Sequence, residues 1–188
     1  MDNTTSMDHV EFTDRRSLPM MALRGLAVFP GMMLTFEVER SMSIAALNMA
    51  MSDDQIIYLV PQKDIATDIP TPDDVYGVGT VCRIKQMMKQ PGSKTVRVMA
   101  EGIERGRTLA VRTDMPCFVA EVEPMPDVAE RKTARIEALI RHCCNLFDAY
   151  VTVSGNMAPE SVITVLGSTN AGFVSNFIAQ HVFLRPEQ

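Results

Sequence analysis

The chain has 188 residues, a formal net charge of −5 and a sequence pI of about 5.2. With no dense lysine–arginine patch to offset that balance, no specific nucleic acid is expected as a main partner. Hydrophobic residues make up 46% and charged residues 22%, enough apolar material for a packed core and too much for wholesale disorder.

The first residues, MDNTTSMDHVEF, lack the basic and apolar regions of a signal peptide, and residues 1–16 read as a flexible N-terminus. No apolar run approaches the roughly 18–20 residues that cross a bilayer, so no membrane is expected and the expected location is cytoplasmic. Residues 18–28 contain a strand, and Pro30-Gly31 turns the chain. Residues 35–39 alternate, Phe36 and Val38 against Thr35, Glu37 and Glu39. The period then changes: Ile44, Leu47 and Met51 form one stripe of a short helix that Ser41 or Ser43 can cap. QIIYLVP, residues 55–61, is β-branched and aromatic and reads as a buried strand, followed by the polar loop KDIATDIPTPDD. Residues 77–88 and 95–100 flank KQPGSK as a hairpin, and Gly102 and Gly106 bend the chain before two further strands, 108–112 and 118–123. Five to seven short strands around one helix predict a small, partly closed barrel or sandwich over 17–123.

Pro124 and Pro126 disfavour continuation of either element type and mark a boundary. Asp127, with Glu130 three residues on, predicts a capped helix start. Ile136, Leu139, Ile140, Cys143, Phe147, Tyr150 and Val151 form its apolar stripe, and Gly155 stops it. Pro159 suits the start of a second helix, and a third from about Asn170 buries Phe173, Val174, Phe177 and Ile178. The class is therefore α+β: a β-rich unit, then an α-helical bundle over 127–188.

Catalytic patterns are missing from the sequence. There is no phosphate loop, no GxSxG elbow and no HExxH helix, and GVG at 77–79 lacks the rest of a dinucleotide fingerprint. The four cysteines have no CxxC spacing, and adjacent Cys143 and Cys144 diverge on a helix, so no metal site and mostly buried, reduced thiols are expected. The unusual count is 15 methionines against no tryptophan. Methionine fills irregular gaps and also suits surfaces that must accept varied partners. The pairs beside the Pro-Gly turn and near the hairpin tip make Met32, Met33, Leu34, Met87 and Met88 the candidate contacts.

Several segments in order resemble the N-terminal domain of bacterial Lon, the ATP-dependent serine protease. They are LPMMALRGLAVFPGMM, ERSMSIAALNMAMSDD, IYLVPQKD, and DIPTPDDVYGVGTVCRIKQMMKQPGSKTVRVMAEGIERGR, over about residues 17–115 and more loosely beyond. Thr35 and Glu39 depart from it, standing where that family commonly has proline and glycine. The resemblance implies a PUA-like pseudobarrel of about six strands plus a helix, then a helical bundle leading to an ATPase module and a protease domain with a Ser-Lys dyad. It implies a non-catalytic role within a hexamer: recognition of unfolded or misfolded proteins and of short-lived regulatory proteins. ATP and magnesium would bind elsewhere in the parent, with no cofactor in this chain. The alternative is a free-standing adaptor or small-ligand-binding protein, which needs a closed apolar pocket.

Overall fold

The computed structural model describes residues 15–89, 92–127, 133–155 and 159–182. Six strands form one sheet in the order β2-β5-β4-β3-β1-β6, with β5 also paired to β6. The strands are β1 (Arg16–Leu23), β2 (Met33–Val38), β3 (Ile56–Pro61), β4 (Val78–Lys89), β5 (Val96–Arg112) and β6 (Phe118–Met125). The ladder β1-β3-β4-β5-β6 therefore closes on itself, while β2 hangs on the first half of β5, its other edge unpaired among the described residues. β3 is buried from Ile56 to Val60 on both faces, as its unbroken apolar run requires.

Helix α1 (Ser41–Met51) lies against β1 and β3. Its buried residues are Ala46, Leu47 and Ala50, whereas Met51 is exposed. The expected Ile44–Leu47–Met51 stripe is rotated, because the two alanines let the helix axis approach the sheet. Neither Ser41 nor Ser43 caps it; the N-cap is Arg40, which makes no side-chain cap bond.

Gly102 and Gly106 do not end a strand. β5 runs 17 residues through both, because each glycine passes where a Cβ would collide, with the Phe29 carbonyl at Gly102 and the Val122 side chain at Gly106. Beneath Gly106, the buried Tyr58 hydroxyl donates to the Gly106 carbonyl at 2.8 Å. Pro124 does not stop β6 either. It is tolerated at the strand's far end, opposite Gly106.

Three helices follow: α2 (Ala134–Ser154), α3 (Pro159–Leu166) and α4 (Ala171–His181). α2 starts at Ala134, with Thr133 as N-cap accepting from the Ile136 N–H. Asp127 instead forms an ion pair with Arg105, and Glu130 lies outside the described residues. Ile140, Cys144, Phe147, Val165 and Val174 form the centre of a core that shares no residue with the two cores of the sheet. Cys143 and Leu139 face solvent, and Phe173 is also exposed; the buried stripe of α2 passes through Cys144. The Arg105 side chain donates to the buried Asn176 of α4, joining the helices to the sheet.

Candidate functional site

Two irregularities decide which methionines reach the surface. At the Pro30-Gly31 turn, Gly31 adopts φ 79°, its N–H donates to the Gly102 carbonyl, and the Gly102 N–H donates to the Met32 carbonyl. That is a bulge with glycine in the left-handed position, which fixes the phase of β2. Met32 then packs against the core, Met33 points out at 53% exposure, and Leu34 is buried. In β4 the pairing with β5 shifts between Ile84 and Gln86. Lys85 is the extra residue, and it reverses the alternation beyond it, so Met87 packs on the core and Met88 is 46% exposed.

Of the five candidates, then, Met33 and Met88 lie on the open face, Met32 and Met87 are half-buried, and Leu34 belongs to the core. The register brings in a residue the candidate set lacks. Met33 faces Glu101, Met99 lies between Thr35 and Gln86, and Met88 faces Arg97, which faces Glu37. Met33, Met99 and Met88 are thus successive diagonal neighbours across three strands, about 7–8 Å apart at each step. The alternation of Val96, Val98 and Ala100 against Arg97, Met99 and Glu101 carried the signal for Met99.

Charged pairs border this stripe. Arg97 Nη2 lies 2.8 Å from Glu37 Oε1, and Lys85 Nζ lies 2.6 Å from Glu101 Oε2. The hydrogen bond from Lys85, and then its charge, holds the Glu101 carboxyl below its ordinary range. The stability contributed by Glu101 is therefore present above the ordinary glutamate range and is lost as the pH falls through the lowered value. Glu101→Gln should flatten the acid limb of a pH-stability curve in that window, most visibly at low salt. An unchanged limb would mean that the pair is fully screened.

Two clefts meet at Arg40. One, of about 500 Å3, lies between the end of β1 and β2 and includes Met21, Leu23, Leu26, Phe36 and Val38. The other, of about 250 Å3, includes Met20, Met42, Phe118 and the highly exposed Ile69. Between them, Arg40 donates to Gln62 Oε1 at 3.1 Å and to the Thr67 carbonyl at 3.1 Å, while Gln62 Nε2 donates to Thr67 at 2.7 Å. Burial, and then the neighbouring Arg24 charge, push the Arg40 guanidinium below its ordinary value. These bonds pin the 63–70 loop in place.

Burial pushes the Cys82 thiol up to about 12, leaving it without thiolate at neutral pH. Among the described residues, no group of three or more histidine, cysteine, aspartate or glutamate side chains could hold a metal ion. No helix among the described residues is long and apolar enough to cross a membrane.

Residues 17–188 match the model of the ATP-dependent protease La (LON) substrate-binding domain. The chain belongs to this family. It is 40% identical over 172 residues to the Lon protease of Desulforamulus reducens, covering 92% of this chain and 21% of that protein. It is 36% identical to the Lon protease of Clostridioides difficile, covering 99% of this chain and 23% of that protein. The chain therefore spans about a fifth of the length of these relatives, which do not favour the free-standing reading. The N-terminal domain of the Mycobacterium avium complex Lon protease has the same fold, with TM-score 0.74 at 18% identity, covering 92% of this chain and 86% of that one. A six-stranded sheet followed by helices is thus the architecture of a Lon substrate-binding domain.

Proposed function

We propose that this chain is the non-catalytic recognition module of an ATP-dependent Lon-type protease, catching unfolded, misfolded or short-lived proteins through the stripe Met33–Met99–Met88. The diagonal of thioethers on a paired sheet, exposed at Met33 and Met88 and half-buried at Met99, carries the reading, together with membership of the Lon substrate-binding family. A surface that must accept many sequences needs apolar side chains that can repack, and unbranched methionine meets that need. The bordering Glu37–Arg97 and Lys85–Glu101 pairs are internally balanced, so they select neither acidic nor basic clients. Recognition of this kind calls for no cofactor within these residues; ATP and magnesium belong to the motor of the parent protein.

We read the closed ladder with its attached strand as the PUA-like pseudobarrel of the family and α2–α4 as its helical bundle, acting in the cytoplasm as part of a hexamer. One copy offers few apolar contacts, so its affinity is micromolar or weaker, about −8 kcal/mol at most. Several copies engaging one client raise avidity by roughly 10²–10⁴.

The test is the double variant Met33→Asp with Met88→Asp, titrated with a permanently unfolded protein such as reduced, carboxymethylated α-lactalbumin. Binding should weaken roughly tenfold, the scale expected for burying two charges in place of two thioethers. Thermal melting should shift only slightly, because both side chains already face water and the carboxylate placed opposite Glu101 costs about 0.2–1 kcal/mol. Undiminished binding by the folded variant would remove the stripe from the reading.

A further inference from the structure

The closed ladder has one gap in its wall, and both sides of it are strand edges. Among the described residues, β1 pairs with β6 over Arg16–Met20 and with β3 over Met20–Leu23, which leaves its second edge unpaired from Met21 to Leu23, and β2 pairs with β5 alone. Among the described residues, no backbone hydrogen bond joins residues 21–26 to residues 33–40. The 500 Å3 cleft lies between these two edges.

The bulge at Gly31 fixes which backbone groups look into the gap. The bond from the Gly102 N–H to the Met32 carbonyl makes 32/102 a hydrogen-bonded pair. In the antiparallel register that follows, Leu34, Phe36 and Val38 exchange bonds with Ala100, Val98 and Val96. Met33, Thr35 and Glu37 must then turn their N–H and C=O groups away from β5, and no loop or side chain bonds to them among the described residues. Their spacing of two residues, about 6.6–6.8 Å, is the repeat at which another extended backbone presents matching groups.

We infer that an extended segment of unfolded polypeptide enters this gap and adds to β2 as a further strand, bonding to the backbone of Met33, Thr35 and Glu37. This rests on the recognition reading above and gives it a second, backbone-directed contact on the edge of the same strand that carries Met33. The occupant follows from the lining. A row of paired donors and acceptors fits a peptide backbone, and a floor of Met21, Leu23, Leu26, Phe36 and Val38 fits apolar side chains on alternate residues. Of the charged groups at the rim, Arg24 Nη2 lies 2.7 Å from Asp68 Oδ1, and Glu37 pairs with Arg97. Glu39 accepts from Thr95, and Arg40 is bonded to Gln62 and the Thr67 carbonyl, so each already has a partner. Main-chain bonding is indifferent to sequence, as a receptor for many clients requires. Thr35, which unlike a proline keeps its backbone N–H, supplies the central donor of this edge.

The experiment is amide hydrogen exchange by NMR on the 15N-labelled chain, with and without reduced, carboxymethylated α-lactalbumin. Slowed exchange at Met33, Thr35 and Glu37 is the expected result. Thr35→Pro should weaken binding roughly three- to tenfold, the scale of one net hydrogen bond, whereas Thr35→Val should bind as the parent does. Binding that leaves those three amides unprotected overturns the edge proposal while the methionine stripe stands. No binding by the parent chain overturns both. Protection that rises with protein concentration alone, together with dimers in sedimentation, assigns the edge to a second copy and overturns the polypeptide occupant. Should Thr35→Pro fail to fold, exchange in the parent chain decides.

Discussion

Phe147→Ala should unfold the helical half while leaving the sheet folded. Phe147 is 2% exposed and sits at the centre of the helical core, with ring centroids 6.3 Å from Tyr150, 6.0 Å from Phe177 and 6.5 Å from His181. Removing a buried phenylalanine costs about 3–5 kcal/mol, from lost transfer energy and from the cavity left behind. A core built on three helices, one of them only eight residues long, has little reserve against a loss of that size. The sheet does not depend on it, because none of its core residues touches Phe147's cluster. Among the described residues, the side-chain link across is polar: Arg105 of β5 donates to Asn176 of α4. The expected melt, followed by far-UV circular dichroism and by NMR of sheet amides, therefore splits into an early helical loss and a later sheet transition. A fragment ending after Asp127 should fold and melt with that later transition. A single cooperative transition shifted as a whole would show that the two halves stabilise each other.

The fold was largely legible because hydrophobic period is a local property. QIIYLVP could only be a strand buried on both faces, and the alternation around Phe36 and Val38 survives unchanged in β2. Where the reading missed, the deciding contact lies far away in sequence. Gly102 and Gly106 look like breaks because glycine punctuates turns, yet they are demanded by Phe29 and Val122, distant along the chain. The stripe of α1 was misphased because alanine counts little in a hydrophobic pattern but permits the closest packing. At the site, adjacent methionines must face opposite ways in a strand, so each pair had one exposed member. Which member was set by bulges at Gly31 and Lys85, and a bulge is a property of the pairing. Without the extra residue at Lys85, Met88 would face the core and Met87 the solvent. Met99 stood in plain alternation, but its place beside Met33 and Met88 exists only through cross-strand register.

Gly102→Ala should cost about 3 kcal/mol and disable the recognition face at the same time. A Cβ at this position would fall well inside van der Waals distance of the Phe29 carbonyl oxygen and carbon. The obstacle is backbone, so no rotamer relieves it. Nor can Phe29 move freely, because its own carbonyl accepts the Met32 N–H at 3.0 Å, closing the turn. Gly102 clamps the same turn through both of its backbone groups, donating to Met32 and accepting from Gly31. Relief of the clash therefore breaks the bulge, and with it the phase that points Met33 outward and Leu34 inward. For a sheet unit of roughly 110 residues melting by itself, about 3 kcal/mol lowers its Tm by roughly 12 °C. Gly77→Ala is the matched control, since a Cβ there meets nothing within 4 Å; it should stay within about 0.5 kcal/mol of the parent. Binding of unfolded protein by Gly102→Ala, measured below its melting range, should fall at least as far as in the Met33–Met88 double variant. If Gly102→Ala melts with Gly77→Ala and binds as the parent does, the turn is not clamped by Gly102, and the outward setting of Met33 must have another cause.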